Sequence, residues 1–366
     1  MASTTVLSGL ELTKWRRDFI RETVRDSGFD PYMGDSALDI INVMNDLSTD
    51  GYTIRVPLLG RLQGTGVSGN TSLSGAEETQ DQYYQDIAWE YYRNAVVTTK
   101  KEKKKSAVDL MSAARPQLRE WAAELIKYQI IDSFHKMSGG EKFSVADTTA
   151  RNLFAANNQD RILFGATTGN YSATHATGLT AVDNTSDKLT TGMASLARFM
   201  ARQASPHIRP FKTGTQGREY FVMFCHPLGF RDLKADTAML SANRDARDRN
   251  VDSNPLFQDG DLVYDGIIFR EIPEFYQPRQ GTTANPETTF SNGTIVCGAS
   301  FLCGAQALGM VNKQAPMPTK KSEDDYGFVD GVGIELAHGI DKLRWGNGSG
   351  TKKDVGVVTV YHAAVA

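Results

Sequence analysis

Six residues offer the first chemical possibility. Gly64-Thr65-Gly66-Val67-Ser68-Gly69 spells GxGxxG, a loop that cradles a dinucleotide pyrophosphate when a strand precedes it and a helix opens directly after it. The residues that follow, Asn70-Thr71-Ser72-Leu73-Ser74-Gly75, have no helical character. The sequence favours a flexible loop here, with a nucleotide-binding enzyme as the weaker alternative. Five lysines, Lys100, Lys101, Lys103, Lys104 and Lys105, are broken only by Glu102. Such a run is a solvated helix entrance, a contact with phosphate, or a contact with an acidic neighbour. A nucleic-acid-binding accessory protein is therefore a second alternative, although no helix-turn-helix or RNP-type signature accompanies the run.

The remaining reactive side chains do not converge. His135, His175, His207, His226, His338 and His362 are scattered, and none forms HExxH or another metal spacing. Cys225 and His226 are adjacent, so on a strand they point to opposite faces, and they read as a core cysteine beside a strand-end histidine. Glu77-Glu78 and Asp324-Asp325 are neighbours in polar loops, whereas acid–base catalysis needs two carboxyls held across a cleft in different environments. No GxSxG elbow and no GxxxxGK[ST] phosphate loop occurs. No catalytic residue, cofactor or metal is expected.

Composition bounds the rest. The 366 residues carry 40 Lys+Arg against 43 Asp+Glu, a formal charge of −3, unlike a free-standing DNA binder. An odd count of three cysteines with no CxxC pair favours a reducing compartment. Met1 to Leu10 has no signal-peptide pattern, and no apolar run approaches the ~20 residues of a membrane helix. Folding in a cytoplasm, without a membrane, is the expectation.

Periodicity gives the elements that must position these groups. Leu12, Trp15, Phe19 and Val24 recur at helical spacing, ended by Gly28 and Pro31. Tyr52–Val56 and Ile87–Tyr91 alternate as strands and bracket the small-residue stretch from Gly60 through Gly75, which predicts a long hairpin with a functional or partner-bound loop. A dominant helix is predicted over 106–137, kinked or restarted at Pro116, stopped by Gly139-Gly140, and buried along Leu118, Trp121, Leu125, Tyr128 and Ile131, with Trp121 as its largest anchor. Residues 146–187 read as loops. A helix near 190–203, a buried strand over 220–224, a helix carrying Leu228, Phe230 and Leu233, and strands at 266–270, 294–297 and 355–361 follow. The sum is an α+β chain with mainly short strands.

Four phrases in order carry a resemblance. They are Gly66-Val67-Ser68-Gly69-Asn70 with Leu73-Ser74-Gly75-Ala76-Glu77-Glu78 and Arg93-Asn94-Ala95-Val96; Ala113-Ala114-Arg115 with Leu118 and Trp121; Tyr220 with His226-Pro227, Asp232-Leu233-Lys234-Ala235-Asp236, Asn254-Pro255-Leu256-Phe257 and Tyr264-Asp265-Gly266-Ile267-Ile268; and Cys303-Gly304-Ala305-Gln306-Ala307-Leu308-Gly309 with Asp325-Tyr326-Gly327, Gly339-Ile340-Asp341-Lys342 and Asp354-Val355-Gly356-Val357. From about Ile54 to the C-terminus the chain resembles the major capsid proteins of tailed bacteriophages, in a podovirus-type branch.

The resemblance implies a tailed-phage major capsid protein fold. Its parts would be an N-terminal arm (1–48), an extended β-hairpin loop (49–103), a peripheral domain with a long spine helix (104–188), an axial domain (189–335) and a return to the peripheral domain (336–366). It implies homo-oligomers, pentamers and hexamers, closing an icosahedral shell around packaged double-stranded DNA, with a scaffolding protein, a portal protein and, optionally, a decoration protein as partners. No coiled-coil-like N-terminal extension is seen, so a separate scaffold is expected. The subunit would pass from host cytoplasm to virion. Candidate contacts between subunits are Glu77, Glu78, Lys101, Lys103, Lys105, Trp15 and Phe19.

Overall fold

The computed structural model describes residues 28–45, 53–62, 64–106, 109–213, 219–245, 262–277, 286–321, 325–346 and 352–365. The arm helix with Trp15 and Phe19, and the phrase at 254–257, lie outside the described residues.

Along the chain run β1 (Met33–Gly34), β2 (Ile41–Met44), β3 (Thr53–Leu59), β4 (Gln82–Ala88) and β5 (Glu90–Thr99). Helices α1 (Lys100–Lys105), α2 (Leu110–Phe134) and α3 (Thr148–Asn157) come next, then β6 (Ile162–Phe164), α4 (His175–Thr180) and α5 (Thr191–Gln203). They are followed by β7 (Lys212–Thr213), β8 (Glu219–Cys225), α6 (Pro227–Ala235), α7 (Thr237–Asp245), β9 (Leu262–Tyr264) and β10 (Ile267–Glu271). The chain ends with β11 (Thr289–Ser291), β12 (Val296–Cys303), β13 (Leu308–Lys320), β14 (Val329–Lys342), β15 (Arg344–Trp345), β16 (Lys353–Asp354) and β17 (Val357–Ala363).

Two compact units divide these elements. Among the described residues, the smaller lies within Tyr91–Leu125 and Gln314–Ala337; the larger lies within Ser27–Glu90, Ile126–Lys313 and His338–Ala366.

The larger unit is built on a sheet of order β6-β17-β12-β8-β10-β9, with β11 added to β12 and β7 to β8. The continuous apolar run Phe221-Val222-Met223-Phe224 is explained by this sheet. Alternate side chains of a strand point to opposite faces. Val222 and Phe224 enter one core, and Phe221 and Met223 enter another. Strand β17 divides likewise, with Tyr361 on the first face and Val358 and Val360 on the second. The first face is closed by Ile130, Ile131 and Phe134 at the end of α2 and by Phe154 of α3. The second is closed by Met193, Ala194 and Ala197 of α5 and by Phe230 and Leu233 of α6. A strand covered on both faces needs no polar alternation.

A second sheet has the order β1-β2-β13-β14-β5. Its strands β13 and β14, 13 and 14 residues long, correct the expectation of mainly short strands. Pro316 and Pro318 in one and three glycines in the other hid them, since both residue types weaken a strand reading. Gly339 has a specific reason to be glycine: a Cβ there would stand 2.0 Å from the Ala88 carbonyl oxygen.

Three further expectations are corrected. Residues 146–187 are not loop throughout, because α3, β6 and α4 lie in them. The Asp147 carboxylate accepts the Ala150 N–H at 2.7 Å and caps α3, a start signal in a stretch otherwise dominated by Asn and Thr. Helix α2 begins at Leu110, where Asp109 accepts from the backbone of Met111 and Ser112, and it runs through Pro116. Its buried positions within the smaller unit are Ala114, Leu118, Ala122 and Leu125, while Trp121 is only half-buried.

Candidate functional site

The hairpin forms as expected and is firmly rooted. Strands β3 and β4 pair antiparallel from Thr53↔Ala88 to Leu59↔Gln82. At the root, Ile87 packs with Val311 and Leu343. The Gln85 amide donates to the Lys342 carbonyl at 2.8 Å and accepts the Arg344 N–H at 2.7 Å. Tyr83 meets Trp345 edge-to-face at 6.2 Å. Arg55 holds Asp86 across the ribbon through two bonds, at 2.7 and 2.8 Å, and lies over the Tyr84 ring.

Beyond the root the ribbon is bare. Every described residue from Arg61 to Gln82 is exposed, Leu62 and Leu73 among them. Two strands alone cannot bury a face. Glu77 and Glu78 are spent locally in part: Glu77 accepts the Gly75 N–H within its own limb, and Glu78 accepts the Gly64 N–H and ties the outgoing and returning limbs together, each at 2.7 Å. Gly66 and Gly69 take φ of 67° and 65° with open space around them, so they serve turns. No helix follows Gly69, and the arrangement needed for a pyrophosphate is missing.

The lysines lie in the smaller unit, on α1. Thr99 caps the helix, accepting from the Glu102 N–H. Lys103 pairs with Asp330 at 2.6 Å and Lys105 with Glu102 at 3.6 Å. Lys101 and Lys104 are exposed, with no acidic partner among the described residues. The Lys100 N–H donates to the Phe328 carbonyl at 2.9 Å, which sets α1 beside the turn between β13 and β14. Sequence reasoning missed this turn. It brings Gly327, Phe328 and Asp330 to the lysine helix, and only the pairing of strands far apart in sequence reveals that.

Five of the six histidines, His135, His175, His226, His338 and His362, are buried in the core, and His207 is exposed. The Glu287 carbonyl can only accept, so His135 Nδ1 carries the proton. His135 Nε2 then accepts from the Tyr361 hydroxyl at 2.8 Å, and that oxygen accepts from His175 Nε2 at 3.0 Å. His226 lies past the end of β8, buried beside Cys225 as expected. Its Nε2 bonds Thr289 Oγ1 at 2.9 Å, and Thr289 donates onward to the Phe275 carbonyl. Among the described residues no group of three or more His, Cys, Asp or Glu could hold a metal ion. No described helix is long and apolar enough to cross a membrane.

A bare ribbon on a rigid root, a charged turn, and titratable groups sealed in the core make a subunit built for contact. The comparisons agree: residues 3–366 match the phage capsid protein family. The chain belongs to that family. It is 27% identical over 374 residues to the major capsid protein of Pseudomonas phage KPP25, covering 98% of this chain and 96% of that one. A chain of the cyanophage Pam1 capsid asymmetric unit matches with TM-score 0.88 and 34% identity, covering 100% and 99% of the two chains. The capsid chain of Ralstonia phage GP4, at 19% identity, shares the fold with TM-score 0.69 over 100% and 99%. The α+β fold is that of phage capsid proteins, and the function is structural, as a shell component of the virion. The nucleotide-enzyme and nucleic-acid-accessory alternatives have no support.

Proposed function

We propose that the chain assembles as pentamers and hexamers into the icosahedral head of a tailed phage, enclosing packaged double-stranded DNA and catalysing no reaction. The ribbon carries this reading. A subunit whose hairpin is locked at the root and bare from Arg61 to Gln82, with leucines in water, is incomplete alone and is completed by neighbours.

In the proposed division of labour, residues 1–48 form the arm and 49–103 the extended hairpin loop. Residues 104–188 form the peripheral domain with its spine helix, 189–335 the axial domain, and 336–366 the return. Glu77, Glu78, Lys101, Lys103 and Lys105, with Trp15 and Phe19 of the arm, contact other subunits. A scaffolding protein directs assembly, a portal occupies one vertex, and a decoration protein is an optional addition. The subunit waits in the host cytoplasm until assembly.

Negative-stain microscopy of the expressed chain, with and without a co-expressed scaffolding protein, tests the reading. Uniform shells or capsomer rings are expected. Dispersed monomers that bind a nucleotide stoichiometrically, or DNA tightly, would sink it.

A further inference from the structure

After β6 the chain leaves the large sheet of the larger unit and returns to the same place. Its neck is one buried carboxylate. Asp187 accepts the Ala166 N–H at 2.6 Å through one oxygen and the Asp183 N–H at 2.9 Å through the other. Both ends are also bonded to β17: the Gly165 N–H donates to the Tyr361 carbonyl, and the Asp187 carbonyl accepts the Ala363 N–H. Gly165 takes φ of 68°, and a Cβ there would collide with the Asp187 carboxylate, so the ends meet only because this residue is glycine. Residues 166–186, α4 among them, hang on that neck as a lid.

The lid is lightly held. Within it only His175, Gly178, Leu179 and Val182 are buried. Tyr171 donates to the Ala155 carbonyl at 3.0 Å, the His175 N–H to Asn152 Oδ1 at 2.9 Å, and the Asn292 amide to the Leu179 and Val182 carbonyls at 3.0 Å each. A segment with so little apolar contact to give up opens at a lower free energy than the sheet it covers. Its one buried ionisable side chain, His175, enters a chamber walled by the rings of Phe143, Phe154, Phe164 and Tyr361. The charged and titratable groups there are Arg151 of α3, His135 of α2 and Tyr361 of β17, and Lys342 of β14 acts on His135. The carboxylates of that neighbourhood are engaged by others, Glu287 by Ser144 and Asp354 by Lys342. Burial and then the Arg151 charge hold the His175 imidazole down to about 4. In water the same ring takes its proton near 6.5, so acid favours the open lid, and the closed lid is fully favoured only above pH 6.5.

We propose that residues 166–186 are an acid-opened lid: protonation of His175 releases the segment from the body and uncovers the aromatic chamber, while the sheet beneath stays folded. The Asp187 neck keeps the two ends together, so the opening is local. His135 stays behind in the body, against Phe143 and Phe301, so a single proton is coupled to the movement. The device belongs to one free subunit and is independent of the shell reading.

Native-state hydrogen exchange of the free full-length subunit at pH 7 and pH 5, corrected for intrinsic amide rates, reads the opening. One proton bound near 6.5 in the open lid and near 4 in the closed one raises the opening constant of 166–186 about twentyfold over that interval. His175→Gln should lose this pH dependence. His226→Gln, at a buried histidine outside the lid, should keep it. Asp187→Asn should raise opening at both pH values and leave the ratio between them in place. An opening constant that is the same at pH 7 and pH 5 overturns the proposal. So do lid amides that open with the same free energy as those of β8 at both pH values, because the whole subunit is then unfolding; this comparison needs only the wild type and decides the matter even where His175→Gln does not fold. A pH dependence that survives in His175→Gln overturns the histidine as its cause.

Discussion

At the residue scale the larger unit is notable for what it buries. Burial holds the imidazoles of His135 and His226 down to about 3, and those of His175, His338 and His362 to about 4. At His135 the bond to the Glu287 carbonyl opposes burial and is outweighed by it. A proton on Nε2 would leave the Tyr361 oxygen facing two N–H groups and its own proton without an acceptor. The unfolded chain takes up these protons near pH 6.5. Below that value the unfolded state binds more protons than the native state, so stability is fully present above pH 6.5 and falls as pH drops toward 4. Urea midpoints of the free subunit should therefore decline between pH 7 and pH 5. His175→Gln should flatten the decline by up to about 1.4 kcal/mol per pH unit. An unchanged slope would show that His175 is already protonated in the native state. The buried pair Lys342–Asp354, at 2.8 Å and 0% and 1% exposed, makes a second prediction. Lys342→Met alone leaves a buried unpaired carboxylate and should cost about 3–5 kcal/mol, whereas adding Asp354→Leu should recover most of that loss. Equal costs for the single and double variants, measured by denaturant unfolding, would count against the pair as the cause.

At the scale of elements, the stability of α2 and of the ribbon rests on different positions. In α2, Leu118 is buried and Trp121 is half-buried. Leu118→Ala should cost about 2–5 kcal/mol, and Trp121→Ala should fall below the 3–5 kcal/mol usual for a buried tryptophan. A reversed order in thermal unfolding would restore Trp121 as the anchor. The ribbon behaves oppositely. Leu62→Asp and Leu73→Asp touch no core and should leave the free subunit within about 0.5 kcal/mol of wild type while blocking assembly. Wild-type shell yields from both variants would show that the ribbon stays in water after assembly. These elements also mark what the sequence could tell. The alternation of Tyr52–Val56 and Ile87–Tyr91 showed the ribbon, and the run at 220–224 showed a covered strand, because burial on a regular element imposes a period. The strand pair β13 and β14 was not legible, since its glycines and prolines answer to close approach and to edges that exist only after pairing. Trp121 was misjudged because a helical stripe indicates a direction but not how much neighbouring chain covers it. Among the candidate contacts, Lys103 and Glu78 were identifiable by charge, but their partners, Asp330 and the Gly64 N–H, lie 227 and 14 residues away.

At the scale of the molecule, apolar burial is uneven. The two large cores both belong to the larger unit, around β8, β12 and β17. The smaller unit buries a short set, Ala114, Leu118, Ala122 and Leu125 of α2 with Ile334, Leu336 and Ala337 of β14, while β5 is exposed along much of its length. Local opening is governed by how much apolar contact a segment must give up. Amides of β5 and of the ribbon should therefore exchange with solvent well before those of β8, β12 and β17 in the free subunit. Assembly should change the first group and not the second. The ribbon's leucines and the smaller unit's exposed strand gain cover from neighbours, whereas the sheet of the larger unit is already closed on both faces. Hydrogen exchange on free subunits and on shells of the same chain measures this directly. The expected result is protection of residues 53–99 rising by orders of magnitude on assembly, with little change across 219–225, 296–303 and 357–363. A uniform rise over all segments would mean that assembly stabilises the subunit globally, as a ligand does, and not by completing surfaces it leaves open. Unchanged protection of 53–99 would remove the ribbon from the shell contacts altogether.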